Sequence, residues 1–426
     1  MGPISGADET VVTYATQLAA AGHSPLVLVM YPHARDDQYY LRLRKAGVEV
    51  SSIASAGVRT SLGAGRRLAS GLLRAFPASQ RFVRANAQKV SSGLTGRYFE
   101  ACRDHFARSG ADLIHVVTPD PSAMVMIRAA HAAGLPVIYQ ELGTPYHPPD
   151  FEAYYDRFTT VLPLCAEVAA LSPRLAAKCR DTLPRGGRLS VLPIMAEDFL
   201  KGHNGHAPRR APSSDVTFGF AARIEHLKGP LVLVEAFAAV NRRFPDTRLK
   251  IVGAGSRKQQ AAARARALGV ADRCHFPGLY TDTEHKAAFM RSIDVFVLPS
   301  LTEGTPNGIV EAMSHGLPVV ASAVGGIPDM VTAETALLVP PEDPVALAGA
   351  LCRLVADSEL RARMGRAGRE RYDKLFSPAA VMPVMVETYR RIAAGNRVAA
   401  GNGAFGASAV SPNGHHESHP WARQPV

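Results

Sequence analysis

The chain is short of cysteine, of long apolar runs and of acidic side chains, and each shortage excludes something. Its five cysteines (Cys102, Cys165, Cys179, Cys274, Cys352) are scattered, odd in number and form no Cys-x-x-Cys pair. That pattern argues against a disulfide framework or a zinc knuckle and fits a reducing compartment. No apolar run approaches the roughly 18–20 residues needed to cross a bilayer. Met1 to Thr10 holds neither a basic nor an apolar signal region, so no export signal is read there and a cytoplasmic location is expected. Asp plus Glu number 37 against 48 Lys plus Arg, a net charge of +11. The excess suits anionic partners without separating nucleic acid, lipid head groups and nucleotide phosphates. Stacking aromatics do not interleave with the basic residues, which argues against nucleic acid.

At 426 residues the chain is too long for one compact domain and comfortable for two. Pro25–Met30 is a continuous apolar run, as a buried parallel strand requires. Further strands are predicted at 48–53, 112–117, 136–140, 168–172 and 189–194, with helical stretches between most of them. The run Lys201 to Asp215 is rich in Gly, Pro and Ser and reads as a linker. A second alternating series follows, with strands at 216–221, 248–252, 274–276, 293–298 and 318–321. Alternation of this kind means parallel sheets covered on both faces, an α/β architecture. The expected organisation is a first domain over 1–198, a linker over 199–215, a second domain over 216–375, a helix over 376–398 packing back on the first domain, and a disordered tail over 399–426. A strand normally feeds the first glycine loop of such a domain. Here the chain begins inside that loop, so the first strand is expected to be missing.

The densest chemistry lies in Pro299-Ser-Leu-Thr-Glu-Gly-Thr-Pro-Asn-Gly-Ile-Val-Glu. A strand ends at Leu298, a loop of small residues follows and a helix starts, with Thr305 read as its N-cap and Pro306 as its first residue. The N–H groups of Asn307, Gly308 and Ile309 would then face outward at the positive end of the helix, where a phosphate or diphosphate fits. Gly304 and Gly308 would admit close approach of that ligand. Glu303 and Glu311 bracket the turn, and carboxylates beside an anion site suit hydroxyl groups, a sugar on one side and a ribose on the other.

This segment resembles the Glu-x7-Glu signature of retaining GT-B glycosyltransferases of family 4, the glycosyl transferases group 1. A second signature is Phe218-Gly-Phe-Ala-Ala-Arg-Ile-Glu-His-Leu-Lys-Gly, in which Arg223 and Lys228 follow a strand's carboxyl end and can neutralise a diphosphate. The resemblance implies two Rossmann-like doubly wound domains facing across a cleft. It implies transfer of a hexose-type sugar from a nucleotide-diphosphate sugar to a glycan, lipid-linked or small-molecule hydroxyl, with retention at the anomeric carbon. It also implies no cofactor and no metal, the cations and helix terminus acting in their stead. A non-catalytic nucleotide-sugar-binding protein is the alternative. Gly253, in the Gly-x-Gly turn at 253–255, would lie near the nucleoside. Asp282-Thr-Glu is read as part of a helix start, with Thr281 and Glu284 as a capping box, and the Gly325-Gly326 turn as structural.

In the first half, Ser5-Gly6-Ala7-Asp8 resembles the family's Gly-Gly-Ala-Glu loop, which places Gly6 against the donor. Glu141 precedes Leu142, which stands where many relatives carry a histidine beside the transferred sugar, and His147 on the same loop is the candidate substitute. Residues 57–110 hold ten Lys/Arg and two acids, with Leu68, Leu72, Leu73 and Phe76 interleaved. A solvated face and peripheral contact with an anionic membrane both stay open for this stretch.

Overall fold

The computed structural model describes residues 6–29, 37–53, 96–117, 121–142, 160–180, 188–198, 215–280 and 282–401. The first half runs α1 (Gly6–Ala20), β1 (Leu26–Val29), α2 (Gln38–Lys45), β2 (Glu49–Ser52), α3 (96–108), β3 (Ile114–Val116), α4 (Pro121–Ala132), β4 (Val137–Glu141), β5 (Glu167–Ala170), α5 (Pro173–Arg180) and β6 (Leu189–Val191). Every described strand pair of this half is parallel, and helices cross between β1 and β2, β3 and β4, and β5 and β6. β1 pairs only with β2, and β3-β4-β5-β6 form a separate sheet, so β1 and β3 exchange no hydrogen bonds. This differs from the single sheet expected of a doubly wound domain. Leu28 and Ile53 nevertheless pack on the cluster that holds Val116, Val137 and Val168, so the two sheets share a core.

The second half runs β7 (Thr217–Ala221), α6 (Pro230–Arg243), β8 (Arg248–Val252), α7 (Lys258–Ala267), β9 (Cys274–Gly278), α8 (Thr283–Arg291), β10 (Val295–Leu298), α9 (Asn307–Ser314), β11 (Val319–Ser322), α10 (Ile327–Met330), β12 (Ala336–Val339), α11 (Pro344–Ala356), α12 (Ser358–Leu375) and α13 (Pro378–Gly401). Its six strands form one parallel sheet in the order β12-β11-β10-β7-β8-β9. The order reverses between β7 and β10. Both strands are almost wholly buried, which is why they read as unbroken apolar runs.

Several contacts join the halves among the described residues. The terminal helix α13 crosses back to the first sheet, where Val381, Met385 and Ile392 pack with Tyr14, Ile138 and Leu192. Arg391 there pairs with buried Glu167 at 2.5 Å. Arg369 of α12 grips Asp198 through both guanidinium nitrogens at 2.8 and 2.9 Å. Asp329, just past the Gly325-Gly326 turn, accepts the Arg174 backbone N–H of α5 at 2.8 Å. Helix α13 extends to Gly401, beyond the expected end at 398. The linker expected over 199–215 falls outside the described residues except for Asp215, as does the tail beyond 401. Among the described residues no helix is long and apolar enough to cross a membrane.

Candidate functional site

A cavity of about 330 Å³ opens between the halves, at the point where the second sheet reverses its strand order. Open parallel sheets present ligand crevices there because the loops leaving adjacent strands diverge to opposite faces. The β7 loop supplies Ala222, Arg223 and Lys228, and the β10 loop supplies Glu303, Gly304 and Thr305. The β8 loop approaches through Gly253, where a side chain is excluded. Its φ is +142°, and a Cβ would stand 2.0 Å from the Ala222 carbonyl oxygen.

Lys228 donates to Glu303 Oε1 at 2.6 Å, and Ser300 Oγ donates to the same oxygen at 2.7 Å. The Glu303 carboxylate is therefore fixed, and only 8% of the residue is exposed. Arg223 is exposed at the cleft, and its guanidinium makes no hydrogen bond or ion pair among the described residues. Gly325 and Gly326 back the Glu303 loop from behind. A Cβ on Gly325 would fall 1.7 Å from the Glu303 carbonyl oxygen, and the Gly326 N–H donates to the Gly304 carbonyl.

Helix α9 starts one residue later than its sequence implies. Pro306 has extended backbone (φ −70°, ψ 125°) and is the cap, with no side-chain bond from Thr305. Ile309 N–H is already used by the Pro306 carbonyl at 3.1 Å, and its side chain is fully buried. Ile309 therefore does not face the cleft, a correction to the reading from sequence. The outward donors are the first-turn amides of Asn307 and Gly308, which no helical carbonyl can satisfy. Gly308 lines the cleft, but its missing side chain serves packing: a Cβ would meet the Phe296 ring at 2.8 Å. The Thr305 hydroxyl is sealed from solvent and has no hydrogen-bond partner among the described residues, an orphan polar group beside the helix terminus.

The first half closes the other wall. Gly6 and Ala7 are the opening turn of α1 rather than a loop. The Gly6 carbonyl accepts from Asn307 Nδ2 at 3.0 Å, joining the two helix starts across the cleft. Leu142 lines the cleft but Glu141 does not. Strand alternation turns Glu141 inward, where it is 4% exposed and accepts from the Tyr139 hydroxyl at 2.8 Å. His147 and most of the basic stretch lie outside the described residues. Of its described part, Arg103 is paired with Glu100 and Asp104. The helix after β9 is capped by Asp282, which accepts the His285 N–H at 2.8 Å, in place of the expected Thr281 box.

One feature escaped the sequence entirely. Glu311, Lys286, Glu9, Arg42 and Glu197 form a chain of alternating charge across the cleft. Lys286 Nζ lies 2.7 Å from Glu311 and 3.3 Å from Glu9. Arg42 lies 2.9 Å from Glu9 and from Glu197. Burial alone would lower Lys286, but Glu311 and Glu9 outweigh it and hold its ammonium above the ordinary value. Burial would likewise raise Glu9, and Lys286 with Arg42 holds it below. A lysine between a histidine and an alanine on a short helix gives no sign of this role.

The family model for glycosyl transferases group 1 matches residues 215–357. The D-inositol 3-phosphate glycosyltransferase of Corynebacterium glutamicum (strain R) is 35% identical over 186 residues, 42% of this chain and 44% of that protein. The protein of the same name from Streptomyces griseus subsp. griseus is 39% identical over 201 residues, 42% and 41% of the two chains. This chain thus spans less than half the length of these relatives. Among solved structures, Anabaena Alr3699/HepE in complex with UDP and glucose superimposes with a TM-score of 0.66 at 18% identity, over 91% of this chain and 96% of that one. Sucrose-phosphate synthase from Thermosynechococcus elongatus gives 0.65 at 22% identity, over 90% and 93%. The fold is GT-B.

Proposed function

We propose, from the premise that residues 215–357 are a glycosyl transferases group 1 domain on a GT-B fold, that this protein is a glycosyltransferase using a nucleotide-diphosphate sugar. The diphosphate lies against the first-turn amides of α9, with Arg223 and Lys228 as its cations. Glu303 takes hydroxyls of the transferred sugar and Glu311 takes those of the ribose. Charge growing on the departing diphosphate is stabilised by donors already in place. The same diphosphate accepts the proton of the attacking hydroxyl, which arrives on the sugar's leaving-group face, so the anomeric configuration is retained. The acceptor is a glycan, lipid-linked or small-molecule hydroxyl.

The carrying observation is convergence: Arg223, Lys228, Glu303, Glu311 and a helix start line one cavity at the sheet's reversal point. Lys228 and Glu303 neutralise each other at 2.6 Å, so a donor must share both.

A second reading, nucleotide-sugar binding without transfer, draws on Leu142 in the cleft and Glu141 turned away from it. Incubation with nucleotide-diphosphate sugars separates the two. A transferase releases free sugar and nucleoside diphosphate slowly without acceptor and faster with one. Tight binding with intact donor after prolonged incubation leaves only the binding protein.

A further inference from the structure

The nucleoside end of the cleft holds a polar group that no function described so far employs. Tyr280 follows β9, lines the cavity beside Glu311 and Lys286, and packs its ring on Phe289 at 5.8 Å between centroids. Its hydroxyl is sealed from solvent and has no hydrogen-bond partner among the described residues. A sealed, unpartnered phenol is costly in a folded protein, and such groups mark places where something else completes the bond. The Glu311 charge, together with burial, holds this phenol well above its ordinary pKa. It is therefore an uncharged O–H donor.

Its place in the sheet indicates what it meets. The diphosphate loops follow β7 and β10, whereas β9 lies two strands beyond β7, roughly 10 Å away at the usual strand spacing. That is the base-proximal side of a bound nucleotide, where the ribose presents its 2′-hydroxyl. Glu311 alone is a poor match for a vicinal diol, because its Oε1 already accepts from Lys286.

We propose that Tyr280 is a specificity-determining residue whose hydroxyl bonds the donor's ribose 2′-oxygen, so that the cleft selects ribonucleotide over 2′-deoxyribonucleotide donors. This rests on the donor site described above.

The test is calorimetric titration of the full chain with UDP and dUDP, ADP and dADP, and GDP and dGDP. With the preferred base, the wild-type protein should bind the ribo form about tenfold more tightly, the effect of one net hydrogen bond. Tyr280→Phe removes only an unpartnered oxygen, so its melting temperature should not fall. It should bring the ratio within about twofold by weakening the ribo form and leaving the deoxy form unchanged. A wild-type ratio near one, a Tyr280→Phe ratio equal to wild type, or a change that follows the base instead of the sugar would each overturn the proposal while the donor site stands. If none of the six ligands binds, both readings fall together.

Discussion

Replacing Lys286 by Met removes a cation from between two carboxylates on opposite walls of the cleft. The three side chains concerned, Lys286, Glu311 and Glu9, are 9%, 10% and 12% exposed, so water screens them little. Breaking a buried pair by deleting one partner costs about 3–5 kcal/mol, because the surviving charges lose their counterion. Lys286→Met should therefore destabilise the protein by about 3 kcal/mol. Glu311→Gln alone should cost about 2 kcal/mol, since Lys286 keeps Glu9. If the chain is coupled, the double variant should cost about 3 kcal/mol rather than 5, a coupling of about 2 kcal/mol. At roughly 2–4 °C per kcal/mol for domains of this size, the two single losses in melting temperature should exceed the double loss by about 4–8 °C. Strict additivity would refute the reasoning. The contacts would then be worth no more than solvated surface pairs, for which about 0–1 kcal/mol is usual.

Arg223→Met should weaken nucleoside diphosphate binding by about 10–100-fold, as loss of a charge-assisted bond does. Its unliganded melting temperature should stay within about 1 °C, because Arg223 is exposed and unpaired; titration and melting together check this. Gly253→Ala should cost more than about 2 kcal/mol, since the new Cβ meets the Ala222 carbonyl oxygen at 2.0 Å on a backbone conformation other residues avoid. It should also displace the Arg223 loop, seen as lost diphosphate affinity. His115 is part-buried between Tyr14 and Tyr389, and burial pushes its pKa from 6.5 down to about 4 despite a Gln140 contact. Its folded pKa is thus below the unfolded one, so its contribution is whole above pH 6.5 and is lost as pH falls toward 4. The loss should be on the order of 3 kcal/mol, and His115→Gln should flatten melting temperature against pH in that window.

The central strands β7, β10 and β11 were legible because burial on both faces demands nearly continuous apolar runs. β12 escaped notice: it is four residues at a sheet edge, buried at its two ends and open in the middle, too short a pattern to stand out. The Glu303 loop was legible because its small residues are a local requirement, confirmed in part by the close backbone packing at Gly325. The helix start was misread by one residue, since Thr305 and Pro306 each make an acceptable cap or first position. Only backbone torsion decides between them.

By itself the sequence determined which segments could be strands or helices, and that a strand–loop–helix turn bracketed by two carboxylates lies near residue 305. These follow from local spacing and backbone chemistry, which any short window displays. The tertiary structure alone decided that Glu141 turns inward, that Lys228 and Glu303 hold each other, and that residues 9, 42, 197, 286 and 311 meet as one charged chain. Those outcomes depend on which loops and elements, distant along the chain, meet in space. An ion pair needs its charges within a few ångströms whatever their distance along the chain, and no periodicity records that.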